Sequence, residues 1–278
     1  METKFLDRPD GRIAYSIAGE GPLLIAVPGL GDLRSSYAEL SAALVAEGYR
    51  VAVMDLRGHG ESDVTFREHG DAVTAQDLLA LAEQLGEPAV VVGNSLGGAV
   101  SVWAATERPE LIPGIVLYSP FMRNPKFPAF ALAMIKFLYR LAFIPPWGAT
   151  LWAAYYRSLN KGVLPADLDA HLAEIKAKLH EPGRLRSLRE LLLQLDHSVI
   201  DDRLPRLKTP MRVFVGALDT DFPDPSAESE WIAQFGAQSE LVPESGHYPH
   251  RQRPELVIPQ TLEFLSGLRE GQSWRAHA

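Results

Sequence analysis

The stretch VVVGNSLGGAV, Val90 to Val100, joins an apolar β-branched run to a helix-forming run through a turn crowded with glycine. Ser95 stands at its centre, with Gly93 two residues before it and Gly97 two after. A chain that turns from strand to helix within so few residues strains its central residue and brings the flanking positions close together. Both flanks must then lack bulk, and Gly98 beside them lets the helix pack tightly on the sheet. Chance produces Gly-x-Ser-x-Gly in about one of ten chains of this composition, so the weight lies in its strand-to-helix setting. The reading is a nucleophile elbow; the bland alternative is a glycine-rich turn.

The surrounding rhythm fits the elbow. KFLD and GRIAYSIAG read as an opening antiparallel pair joined through Pro9-Asp10-Gly11. PLLIAVP, YRVAVMD and PAVVV read as buried strands, and IPGIVLY, MRVFVG and SELVP as further strands. Between them lie helical patterns over Ser36–Glu47, Asp71–Leu85, Ser95–Thr106, Ala227–Phe235 and Pro254–Leu268, the last with Pro254 suited to a first turn. Strands alternating with helices predict an α/β fold, a mostly parallel eight-stranded sheet flanked by helices.

From 121 to 205 the strand rhythm stops and the chain turns helical, aromatic and apolar, which reads as an insertion after the sixth strand. Residues 1–120 and 206–278 then form one core domain. Lys136, Arg140 and Pro145-Pro146 interrupt the insertion short of the ~20 apolar residues of a helical span, so no transmembrane segment is predicted. Lys136 and Arg140, four residues apart, suggest one solvated helix face. His171, His180 and His197 read as solvated positions of the insertion.

A chain of 278 residues, 46% hydrophobic, buries a large core, and its net charge of −8 argues against nucleic acid as a partner and for a small-molecule substrate. There is no cysteine, which removes disulfides, a thiol nucleophile and thiolate metal sites. METKFLDRPDG lacks a basic stretch leading into an apolar one, so the default expectation is the cytoplasm.

A serine hydroxyl needs a base to take its proton, and that base needs an orienting acid. In folds built on the elbow these follow the serine in the order acid, then histidine, which sets aside His59 and His69. His247, on the turn of PESGHYPH after the last strand, is the candidate base; His250 is the runner-up, and His277 falls in the tail. Asp219 is the first carboxylate beyond MRVFVG, with Asp221 and Asp224 as alternatives. The three aspartates lack the glycine and terminal glutamate of a calcium loop, and no H-E-x-x-H occurs, so no metal is expected. The oxyanion of the attacked carbonyl requires preorganised N–H donors. The amide of Leu96 is one, and the glycine-rich turn VPGLGD offers the amide of Leu30 as the other. A dinucleotide cradle in that turn would need a third glycine and a ribose-binding acid, and no cofactor is expected.

These residues resemble the α/β-hydrolase fold superfamily, specifically its small capped serine hydrolases. VPGLGD looks like the oxyanion loop, MDLRGHGESD the loop after the next strand, GNSLGG the elbow, GALDTDF the acid loop and SGHYPHRQRPE the histidine loop. The resemblance implies that residues 121–205 form a helical cap shaping substrate choice, with Trp147, Trp152, Tyr155 and Tyr156 lining an apolar pocket or packing cap on core. It implies a structural role for Arg57 and His59. Pro28 stands where the family usually has histidine. Ser95 in place of aspartate argues against epoxide or haloalkane hydrolysis. The expected activity is hydrolysis of carboxylic esters of small to medium, largely apolar substrates. Alternatives are carbon–carbon bond hydrolysis or lactone opening on the same residues, and a ligand-binding receptor with an idle triad.

Overall fold

The computed structural model describes residues 2–271 and Trp274, so His277 lies outside the described residues. Eight strands form one sheet: β1 Thr3–Arg8, β2 Gly11–Ala18, β3 Leu23–Val27, β4 Arg50–Met54, β5 Ala89–Asn94, β6 Ile115–Tyr118, β7 Met211–Gly216 and β8 Gln238–Val242. Their spatial order is β1-β2-β4-β3-β5-β6-β7-β8. β2 is antiparallel to both of its neighbours, and every pairing from β4 to β8 is parallel.

Both faces of the central strands are covered, which explains their unbroken apolar runs. Leu23, Ile25 and Val27 point to one face, where helices α2 (Asp71–Leu85), α3 (Leu96–Glu107) and α8 (Pro225–Ala233) contribute Leu78, Val100 and Ile232. Leu24 and Ala26 point to the other, onto Leu40 and Leu44 of α1 (Ala38–Ala46) and Val257 and Leu265 of α10 (Pro254–Glu270). A short helix, α9 (Pro249–Gln252), precedes α10.

The chain leaves β3 for β4 on one side and returns to β5 on the other. In such sheets ligands bind where the order reverses, outside the carboxyl ends of the strands. The register places Val27 of β3 beside Gly93 of β5, so the loops that follow leave the sheet together. Likewise Gly216 of β7 pairs with Val242 of β8, which sets the next two loops side by side.

Between β6 and β7 lie α4 (Ala129–Ala142), α5 (Gly148–Leu159), α6 (Leu168–His180) and α7 (Arg184–Gln194). A third apolar cluster, including Trp152, Tyr156, Leu172 and Leu188, joins α5, α6 and α7 to Leu33 and Tyr248 of the sheet unit. One expectation for this insertion needs correction. His171 and His197 are buried, not solvated, because each meets a buried carboxylate: His171 Nε2 lies 2.8 Å from Asp32 and His197 Nδ1 2.7 Å from Asp71. On α4 the solvated surface extends far beyond Lys136 and Arg140, since no residue of that helix is buried. Among the described residues no helix is long and apolar enough to cross a membrane.

Candidate active site

β5 ends at Asn94 and α3 begins at Leu96, leaving Ser95 alone at the turn with φ 54° and ψ −116°. That is left-handed backbone, costly for a residue with a side chain. A Cβ on Gly93 would sit 2.4 Å from the Gly97 carbonyl oxygen, and one on Gly97 2.3 Å from that of Val27. The glycine spacing is therefore a steric condition of the turn. The Ser95 N–H donates to the Tyr118 carbonyl at 3.1 Å, and its carbonyl accepts from Gly98 and Phe121 at 2.9 and 3.0 Å. These bonds hold the strained residue, whose side chain keeps partial access to solvent among buried neighbours.

Asp219 follows β7 and His247 follows β8, and the pairing of those strands brings them together. His247 Nδ1 is 2.7 Å from Asp219 Oδ2, with both side chains buried. The His247 N–H donates to the Leu159 carbonyl at 3.0 Å, so the end of α5 anchors the loop. Gln252 steadies it further, its Oε1 accepting from the Gly246 and Tyr248 amides at 3.0 and 3.2 Å. On the other side of the ring, Nε2 lies 3.8 Å from Asp221 Oδ2. Burial works against the imidazolium, but the Asp219 charge and hydrogen bond, then Asp221 and Asp32, outweigh it and raise the His247 pKa to about 9. Among the described residues no hydrogen bond joins Ser95 Oγ to His247.

Asp219, Asp221 and His247 present donor atoms within 4.8 Å of one another. The carboxylates face opposite nitrogens of one ring, which suits a shared proton better than a chelated ion. A ring nitrogen that ligates a metal cannot also hold the proton its carboxylate accepts. Asp224 is occupied elsewhere, capping α8 by accepting from the Ser226 and Ala227 amides at 3.0 and 3.1 Å. His250 is buried between the rings of Tyr37 and Tyr118, with centroids 4.8 and 4.9 Å away, and burial lowers its pKa to about 3.

Leu30 and Leu96 lie just beyond the paired ends of β3 and β5. Among the described residues neither amide is taken by a turn or loop hydrogen bond. A Cβ on Gly29 would lie 3.1 Å from Ser95 Cβ, so the Leu30 loop passes directly beside the elbow. Three of the four aromatic candidates converge on these loops. The Trp152 indole donates to the Gly31 carbonyl at 3.0 Å, Tyr155 donates to Asp221 Oδ1 at 2.7 Å, and Tyr156 donates to Asp32 Oδ2 at 3.2 Å. Trp147 is not brought to them; it stands half-exposed, its indole donating to the Leu141 carbonyl. Arg57 makes a buried pair with Asp77 at 2.6 and 2.9 Å, and His59 Nδ1 sits 2.9 Å from the Arg57 carbonyl. Both belong to a hydrogen-bonded loop.

Two contributors were not singled out from sequence. The Asn94 side-chain amide donates to the carbonyls of Tyr118 and His247 at 2.8 and 2.9 Å, tying the elbow to the histidine loop. An asparagine closing an otherwise apolar buried strand was the available signal. Asp32 is buried below the Leu30 loop, bonded to His171 and Tyr156 of the insertion and to its own neighbour, the Leu33 amide. Burial raises the Asp32 pKa, but the charge and hydrogen bond of His171, with Arg251 behind Tyr156, bring it below the ordinary value. A surface cleft of about 730 Å³ lies elsewhere, lined by Arg212, Gln238, Gln260 and Glu263, and touches none of the candidates.

A serine elbow on the open end of a mostly parallel sheet, beside loops that carry an Asp–His pair, defines an α/β hydrolase. The chain belongs to the alpha/beta hydrolase family, whose sequence model matches residues 24–260. It is 27% identical over 265 residues to a 2-hydroxy-6-oxononadienedioate/2-hydroxy-6-oxononatrienedioate hydrolase of Comamonas testosteroni, covering 92% of this chain and 91% of the relative. It is 27% identical over 254 residues to an sn-1-specific diacylglycerol lipase of Mus musculus, with 88% and 81% covered. A thermophilic esterase from Thermogutta terrifontis superposes with a TM-score of 0.79 at 24% identity, covering 96% and 99%.

Proposed function

We propose that the protein is a serine hydrolase of carboxylic esters, acting on small to medium, largely apolar substrates. The observation that carries this reading is Ser95 held in left-handed backbone at the strand-to-helix turn. Strain of this kind persists only where the surroundings enforce it, and it serves to project a nucleophile. Ser95 Oγ attacks the ester carbonyl while His247 Nε2 takes its proton. Asp219 orients the ring and balances the imidazolium. The Leu30 and Leu96 amides receive the negative oxygen of the tetrahedral intermediate. His247 then protonates the departing alcohol, and water, deprotonated by the same ring, releases the acid from Ser95.

In this mechanism His247 must turn Nε2 from Asp221 toward the serine, and Tyr155, bonded to Asp221, is the residue of the insertion that sees that change. The insertion acts as a cap over the site, with Trp152, Tyr155 and Tyr156 as its contact with the catalytic loops. A second reading is hydrolysis of a carbon–carbon bond on the same residues, favoured by the 92% coverage of this chain by the Comamonas testosteroni relative.

A chain-length series of p-nitrophenyl esters with wild type and Ser95→Ala tests the proposal. Turnover that falls to background in Ser95→Ala, with an unchanged far-ultraviolet spectrum, supports it. Turnover retained in that variant removes the mechanism. A wild type inert toward every ester favours the carbon–carbon or receptor readings.

A further inference from the structure

α4 has no buried residue along its whole length, although it is one of the most apolar segments of the chain. Phe130, Met134, Phe137, Leu138 and Leu141 recur at the spacing that stacks side chains on one helix face. They are 79%, 57%, 53%, 52% and 49% exposed. The adjoining face, Ala131, Ile135, Tyr139 and Ala142, is half-buried and seats the helix. The exposed stripe is therefore not needed to hold α4 in place. Phe127 before it, and Trp147 and Leu151 after it, continue the exposed apolar surface. Contiguous apolar surface of this extent marks an interaction site in a water-soluble unit.

The charge around this surface identifies what would cover it. Residues 111–166 contain six lysines and arginines and no aspartate or glutamate, whereas the rest of the chain carries a net −14. Glu228 and Asp169 engage Arg123 and Arg157, but among the described residues Lys126, Lys136 and Arg140 form no ion pair. A second copy docked by the same face would set these cations against each other, since a two-fold interface pairs a patch with itself. An anionic bilayer offers hydrocarbon for the phenylalanines and negative headgroups for the cations.

We propose that α4, with Phe127 and Trp147 at its ends, docks the protein on an anionic lipid surface. The helix lies in the plane of the headgroups, with Phe130, Phe137 and Leu141 below it and Lys136 and Arg140 at its flank. The docked face adjoins the catalytic loops. Tyr155 stands one turn beyond Leu151 on α5 and bonds to Asp221, which is 3.8 Å from His247 Nε2.

Flotation of the full chain with vesicles tests this. The probes are pure phosphatidylcholine, and about three parts phosphatidylcholine to one of phosphatidylglycerol. Wild type should float with the anionic vesicles and less with the neutral ones. Phe130→Ser/Phe137→Ser should weaken that partitioning about tenfold or more, from lost burial of two large side chains. Lys136→Glu/Arg140→Glu should abolish the preference for phosphatidylglycerol. Both variants should stay within a few degrees of the wild-type melting temperature, because none of these four side chains is buried. No flotation by wild type, or undiminished flotation by both variants, overturns the proposal. So does a concentration-dependent dimer in sedimentation velocity that the phenylalanine variant dissociates, which would make a second copy the occupant.

Discussion

Replacing Asp221 with asparagine should move the acid limb of catalysis. His247 lies between Asp219 on Nδ1 and Asp221 on Nε2, with Asp32 contributing from further away, and its pKa is raised to about 9. A general base must be neutral, and at pH 7 a pKa of about 9 leaves about one ring in a hundred neutral. Opposite charges 3.8 Å apart attract by about 4 kcal/mol at an effective dielectric constant of about 20, and by about 1 kcal/mol in bulk water. The Asp221 side chain is 20% exposed, which places it between these limits. Removing its charge should therefore lower the His247 pKa by about 1–3 units. The assay is kcat/KM for a soluble ester, which reports the free enzyme, from about pH 6 to 10. Wild type should rise with a midpoint near 9, and Asp221→Asn should rise earlier, exceeding wild type at pH 7 by about tenfold or more. Above both midpoints the two enzymes should converge, because in the reacting complex the ring has turned from Asp221 toward the serine. Tyr155→Phe keeps the carboxylate charge and should leave the midpoint within about half a unit. A midpoint unmoved in Asp221→Asn would refute the reasoning.

Other outcomes follow from the same contacts. Asp219→Asn should reduce kcat by about 10³-fold or more while the protein stays folded, checked by steady-state kinetics and calorimetry. His171→Ala leaves the buried Asp32 carboxylate without its histidine partner and should cost about 3 kcal/mol, read from urea unfolding. Because the folded pKa of His247 lies above its unfolded value of about 6.5, its contribution to stability is full below about pH 6.5. That contribution should be lost as pH rises through about 9, so Asp219→Asn should flatten the alkaline fall of the melting temperature. Gly97→Ala should prevent folding or lower stability severely, since its Cβ would sit 2.3 Å from the Val27 carbonyl oxygen, and solubility with circular dichroism would show it.

The central strands β3 to β7 were legible because each is a short apolar run, and burial on both faces leaves no alternation to confuse them. Pro254 and Gly86 mark helix ends where local backbone rules suffice: Pro254 starts α10, and Gly86 closes α2 at φ 79°. The elbow was readable for the same reason, being a local steric condition. Asp219 and His247 could be picked by order along the chain, but the position of Asp221 against the opposite ring nitrogen could not. It depends on how two loops fold over each other. The link from Asp32 to His171 spans 139 residues, and each alone looks like a surface polar residue. Burial and pairing, which neither shows in sequence, make them a buried pair. The apolar periodicity of α4 shows which residues share a face, yet says nothing of what that face meets. In the fold it meets solvent.

The central claim is that Ser95 is a nucleophile driven by His247. Incubation with a fluorophosphonate, followed by intact and peptide mass spectrometry, tests it without knowledge of the natural substrate. The account predicts one phosphonyl group per chain, located on Ser95, absent in Ser95→Ala and strongly slowed in His247→Ala. An unlabelled protein, or a label on another residue while Ser95 stays free, would contradict it.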